Sequence, residues 1–270
     1  MFFRKLTYLI LLSVTLISCS EYEKVLKSAD ADLKFQKALK YYEKEDFNRA
    51  LTLFEQLSVV SRGTKKNDTV MFYLANCYYK QNDLILAGNQ FKNFTKVFSN
   101  SPFSEEAEFM VGYCYYQISP RPSLDQAESL MAIEAFQLFL VKYPYSEKAD
   151  QCKKLINELN EKLVEKSYMG ARLYYDLGNY KASIIALTNS LAVYPNTKFR
   201  EEMMFLILKS NFLLANNSIE SKKRERYQAT LDEYYSFISE FADGENKKEV
   251  DKIYETCMKE LGLEKSVSNN

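Results

Sequence analysis

Apolar positions recur along this chain at helical spacing, and the segments they define recur as well. Small residues stand at Ala38, Ala75 and Gly112, with aromatics three positions on at Tyr41, Tyr78 and Tyr115, a period of 37 residues. Behind the first two of these lies a second stripe, Ala50 and Ala87, with Phe54 and Phe91 one turn later on the same face. Short polar bends, Glu45-Asp46-Phe47 and Asn82-Asp83-Leu84, separate the stripes. The pattern predicts helix–turn–helix pairs whose small residues let the helices approach closely while the rings fill the adjoining gap.

A third pair is predicted to start with a helix at 105–117, but its second helix, carrying Ala135 and Phe139, arrives eleven residues late. Pro120 and Pro122, with Ser119 and Ser123, place the insertion in the turn, because two prolines this close do not sit inside a helix. A fourth pair follows with Ala171, Tyr174, the bend Leu177-Gly178-Asn179-Tyr180 and the apolar run 184–193. A fifth, degenerate pair spans about 198–215 and 224–241, and an amphipathic segment at 245–261 reads as a cap. The junctions Ser101-Pro102-Phe103-Ser104, Tyr143-Pro144-Tyr145-Ser146 and Tyr194-Pro195-Asn196-Thr197 combine a helix stop with a helix start. Ser104 and Ser146 are expected to accept hydrogen bonds from the first free amides of the next helix. The whole resembles the tetratricopeptide repeat, whose unit is about 34 residues. That resemblance implies an all-α solenoid of about five helix–turn–helix units with a C-terminal capping helix.

Seven glycines and five prolines in 270 residues leave little turn chemistry for a sandwich or barrel, which agrees with helix throughout. Lys plus Arg equals Asp plus Glu at 36 each, intermixed, so no nucleic-acid footprint is expected. Histidine is absent, which removes imidazole bases, His-based triads and the commonest zinc sites; tryptophan is absent too, which weakens a sugar-stacking platform. No pair among the acidic residues stands out for carboxylate catalysis. The expectation is a protein that binds other proteins, with no catalytic residue, metal or cofactor.

At the N-terminus Arg4 and Lys5 precede the apolar run 6–17 and Ser18, the layout of a secretory signal over 1–18 and too short to span a bilayer. Leu16-Ile17-Ser18-Cys19 resembles the bacterial lipobox, which implies cleavage before Cys19 and a covalent lipid on it. Ser20, where an Asp would mark inner-membrane retention, favours the outer membrane by the same resemblance. Residues 19–30 read as a lipidated tether and 263–270 as a disordered tail. Cys77, Cys114, Cys152 and Cys257 have irregular spacing and sit within helical patterns, so they are expected as free core thiols.

In the first helices of the first three units Phe35, Phe72 and Phe109 recur, as do Tyr42, Tyr79 and Tyr116 seven positions on, with Leu39, Asn76 or Tyr113 between them. In tetratricopeptide proteins this helix lines the concave surface, so the strips form a ladder. Its rings either pack between helices or face an extended, aromatic-rich polypeptide. Only Asn76 and Lys80 stand where a carboxylate clamp would need them, so a strong clamp is not expected.

Lipobox, five units, Tyr-Pro-x-Ser/Thr junctions and the proline-bearing insertion together resemble the BamD family of outer-membrane β-barrel assembly lipoproteins, over about residues 19–260. The resemblance implies anchorage on the periplasmic face of the outer membrane. It implies that 31–147 receives unfolded outer-membrane proteins and that 148–262 docks on a BamA-like barrel subunit, with other assembly lipoproteins as further partners. Where better-known relatives use a docking arginine this chain has Ala186, leaving Arg172 and Lys181 nearby as substitutes. Two other classes remain open: a periplasmic repeat scaffold for division or lipoprotein trafficking, and a solute-binding or carbohydrate-processing lipoprotein.

Overall fold

The computed structural model describes residues 21–263. Cys19, the signal segment and all but the first residue of the expected tail lie outside them. The fold is all-α, of the tetratricopeptide solenoid class. Its helices are α1 (21–27), α2 (Ala31–Glu43), α3 (Phe47–Val60), α4 (Asn67–Lys80), α5 (Leu84–Val97), α6 (Ser104–Ile118), α7 (Ala127–Lys142), α8 (Ala149–Asp176), α9 (Tyr180–Val193), α10 (Arg200–Asn216), α11 (Glu220–Glu240) and α12 (Lys247–Glu260). They divide between two compact units, one made of the described residues up to Pro120 with Gln126–Leu159, the other of Arg121–Asp125 with the residues from Asn160 onward.

Within each pair one turn recurs. Glu45, Asn82 and Gly178 adopt φ of 59°, 63° and 72°. Around each, the amide at the left-handed residue and the next amide donate to carbonyls three and five residues back, as in Glu45 to Tyr42 (3.0 Å) and Asp46 to Tyr41 (2.9 Å). Asp46 and Asp83 then cap the following helix by accepting from Arg49 (3.3 Å) and Leu86 (3.2 Å), each cap contributing roughly 1 kcal/mol. Gly262 (φ 68°) closes α12 in the same way, with Leu263 donating to Met258. The expected cap, α12, thus ends in the same turn as the first helices of the pairs.

Between pairs a second turn recurs five times. A residue leaving the helix is followed by amides at +3 and +6 that each donate three residues back: Ser61/Thr64/Asn67, Phe98/Ser101/Ser104, Tyr143/Ser146/Ala149, Tyr194/Thr197/Arg200 and Phe241/Gly244/Lys247. This register corrects two expectations. Ser101, not Ser104, is the equivalent of Ser146: Ser101 accepts from the Phe103 amide and Ser146 from that of Lys148, whereas Ser104 lies inside α6 and donates to the Phe98 carbonyl. The insertion in the third unit is shorter than expected, since α7 aligns through Ala132, Phe136 and Phe139 with Ala87, Phe91 and Phe94, all nearly inaccessible. Ala135 is instead half-buried and lines a surface cavity of about 250 Å³. As expected, Pro120 and Pro122 lie in the non-helical link between α6 and α7.

The small position of the second helix continues as Ser183 and Thr230, both at 0 % exposure. These are invisible to an apolar pattern but have their hydroxyls satisfied, Ser183 by Ser210 (3.3 Å) and Thr230 by the Arg226 carbonyl (2.9 Å). An acid at the second residue of a first helix also reaches the next junction, Asp68 to Ser101 (2.8 Å) and Glu105 to Ser146 (2.5 Å). At the corresponding place Gly244 supplies no hydroxyl, and Glu201 Oε1 is buried without a hydrogen-bond partner among the described residues.

Residues 21–27, expected as an unpatterned tether, are helical and packed. Val25 is buried against the first pair, and Tyr22 meets Tyr41 edge-on at 5.7 Å. A single apolar turn among charges is too short to register as a pattern. Cys77, Cys114, Cys152 and Cys257 are free and buried, and burial pushes the first, second and fourth thiols up to about 12 and Cys152 to about 11.

A Cβ on Gly112 would lie 2.6 Å from Cδ1 of Phe136, whose ring is fully buried. Gly112→Ala should therefore lower the unfolding free energy of the protein by about 2 kcal/mol through overpacking, read as a reduced midpoint in denaturant melts.

Candidate functional site

The predicted aromatic ladder resolves into a buried layer and an accessible edge, because a helix seven residues on returns to the same face but neighbouring helices cover only part of it. Phe72 is buried, stacked on Phe103 at 4.5 Å and in contact with Phe91 and Phe94. Phe109 is buried against Phe136 and Phe139, with Lys148 Nζ 4.7 Å from its ring. These two phenylalanines are core and cannot touch a ligand directly, which corrects their assignment to the groove surface. Phe35 is half-buried and lines a cavity of about 330 Å³, where Lys66 sits 5.4 Å from its ring and pairs with Asp32 at 2.6 Å.

The tyrosines behave differently. Tyr79, Tyr113 and Tyr116 are half-buried and form a continuous strip: Tyr79 meets Tyr113 at 6.4 Å, and Tyr113 stacks on Tyr116 at 6.1 Å and on Phe109 at 5.5 Å. Tyr116 Oη donates to Glu158 at 2.6 Å, which fixes the end of the strip. That hydrogen bond, with burial, pushes the Tyr116 hydroxyl up to about 12, while burial, with Tyr113 and Cys114 nearby, raises Tyr79. Lys80 is exposed beside Tyr79, and the Asn76 amide is turned inward, donating to the Phe72 carbonyl at 2.9 Å. Asn76 thus spends one amide N–H on its own helix.

Tyr42 belongs to a separate group, edge-on to Tyr73 (5.0 Å) and Phe47 (5.4 Å), its hydroxyl pushed up to about 12 by burial. Tyr73 links that group to Phe72 and Phe103. Tyr73 and Glu158 were not predicted. Tyr73 stands outside the repeated pattern because its equivalents one period away are Gln36 and Met110, and Glu158 comes from a helix outside the repeated strip.

In the second unit Arg172 is engaged: it donates to Tyr168 Oη at 2.8 Å and lies 3.6 Å from Glu202 and 3.8 Å from Asp176. Lys181 is exposed. Ala186 is half-buried and packs against the unit's core, so it offers little contact surface.

A raised tyrosine pKa means the folded state holds its proton more tightly than the unfolded chain. The associated stability is complete below the unfolded value near 10 and disappears as pH rises through about 12. Tyr116→Phe should therefore remove one late-ionising group from the tyrosinate absorbance titration and flatten the loss of stability over that window.

Residues 28–228 match the profile of YfiO, described as an outer membrane lipoprotein. A protein of Aquifex aeolicus (strain VF5) assigned as outer membrane protein assembly factor BamD is 25 % identical over 251 residues, 92 % of this chain and 81 % of its own length. Among solved structures, the TPR2AB domain of yeast Sti1 in its pHSP90 complex has 14 % identity and a TM-score of 0.38, covering 84 % of this chain and 98 % of that one. The MamA protein has 13 % identity and a TM-score of 0.33, covering 89 % and 96 %. With the profile matched over most of its length, this chain belongs to the YfiO family of outer membrane lipoproteins.

Proposed function

We propose that this protein serves the assembly of outer-membrane proteins as a lipid-anchored scaffold, with Cys19 carrying the lipid. Its first unit holds an extended segment of an unfolded client, and its second docks on a barrel subunit like BamA. Membership of the family and the named Aquifex relative support the role in assembly. The observation that carries the client site is the strip Tyr79, Tyr113, Tyr116: rigid, amphipathic rings at the surface, backed by buried Phe109. Such rings contribute apolar area at low entropic cost and leave hydroxyl edges for the backbone of a bound strand. The chemistry suits aromatic and aliphatic side chains of an extended chain. It offers no catalytic group.

Fluorescence anisotropy with a labelled, aromatic-rich peptide from the end of an outer-membrane barrel protein tests the strip. Replacing Tyr79 and Tyr113 together by Ala should weaken binding about ten-fold, about 1.4 kcal/mol. Unchanged affinity in a folded variant would remove the client site from this face. For the anchor, radiolabelled palmitate should incorporate into the protein in its native host and fail to do so in Cys19→Ala, which should also shift from the membrane to the soluble fraction.

A further inference from the structure

We infer that the second half of α8 is a docking strip for an amphipathic α-helix of another protein subunit. First helices of successive pairs use one face to pack on the pair before them. Measured from the left-handed turn that ends each helix, that face is Tyr73 and Cys77 in α4 and Ile253 and Cys257 in α12; Cys77, Ile253 and Cys257 are buried, and Tyr73 packs on Phe54. In α6 the corresponding Met110 and Cys114 are buried as well.

Helix α8 has 28 residues, twice the 14 of α4. Its first half, starting from the Tyr143/Ser146/Ala149 junction, presents this face as Cys152, Leu155 and Leu159, all buried. Its second half, which runs into the left-handed turn at Gly178, presents the face again as Met169 and Leu173, continued by Leu177 just past the helix end, and these are 45 %, 55 % and 70 % exposed. At a spacing of four they form one apolar line on the helix.

Among the described residues only α1 precedes the first pair, and there the equivalent positions are Gln36, Lys40 and Lys44, all exposed. Where this face meets water the sequence makes it polar; in α8 it meets water and is apolar. Each covered example of the face receives helices with apolar stripes, so the same residue spacing specifies the same kind of occupant. Flanking charges are of both signs, with Glu165, Lys166, Arg172 and Asp176 alongside, which does not suit an anionic lipid surface. Lys166 donates to the Leu124 carbonyl at 2.7 Å, which sets the proline-bearing loop at one end of the strip.

The test gives α8 the residues of the solvent-facing equivalent. In the full-length lipoprotein, Met169→Gln, Leu173→Lys and Leu177→Lys are combined; because all three side chains are exposed, circular dichroism and the melting midpoint should not change. A photoreactive benzoylphenylalanine at Leu173 is then illuminated in the native envelope, and the adduct is mapped to residues by mass spectrometry. An adduct on a helical segment of a different protein with apolar residues three and four apart, reduced at least ten-fold by Met169→Gln with Leu177→Lys, is expected. The triple variant should lose that protein from gently solubilised complexes to the same extent while keeping its affinity for client peptide. Adducts confined to this chain, to a second copy or to lipid, absence of any adduct, or full retention of the partner by the triple variant would each overturn the assignment.

Discussion

Two helices approaching closely enough for backbone to meet side chain is the contact on which this fold depends. It requires a residue without bulk on each side. The second helices supply Ala50, Ala87, Ala132, Ser183 and Thr230, every one at 0 % exposure or, for those in polar form, with its hydroxyl spoken for. Gly112 marks the tightest instance, since the Phe136 ring occupies the space a methyl group would need. Once the helices are this near, the rings beside them have fixed positions, and the left-handed turn at Glu45, Asn82 and Gly178 is the short connection that lets one helix end and the next begin without leaving amides unpaired.

The functional face follows from that packing. Phe72 and Phe109 lie between helices in the core, whereas Tyr79, Tyr113 and Tyr116 are only half-buried and keep an edge in water. Phe109 shows how the layers combine: buried itself, it is the surface on which Tyr113 stacks. Rigidity at the strip comes from beneath, and from Glu158, whose carboxylate holds Tyr116 at the edge.

Doubling a helix has a different consequence. By running through two registers, α8 buries one docking face with Leu155 and Leu159 and then repeats the face as Met169, Leu173 and Leu177, which are exposed. Insertion of Pro120 and Pro122 belongs to the same region, because the loop's Leu124 carbonyl is tied to Lys166.

The amino-acid sequence by itself determined the class of fold, the helix pairs, the turns at Glu45 and Asn82 and the family, since spacing of small and aromatic residues and the choice of turn residues are local, periodic properties. It also placed the proline-bearing link between α6 and α7. It could not assign Ser183 and Thr230 to the small position, because their polarity hides a packing role that depends on a hydroxyl finding a partner across the interface. Nor could it align Ser101 with Ser146, since the prolines beside them stand at different points of the same hydrogen-bonded turn. Which rings are core and which are surface, why Asn76 points inward, and that the stripe at Met169, Leu173 and Leu177 is open were decided only by tertiary structure. Periodicity tells which face of a helix a residue occupies; how far a neighbouring helix extends over that face is set by lengths and junctions elsewhere in the chain.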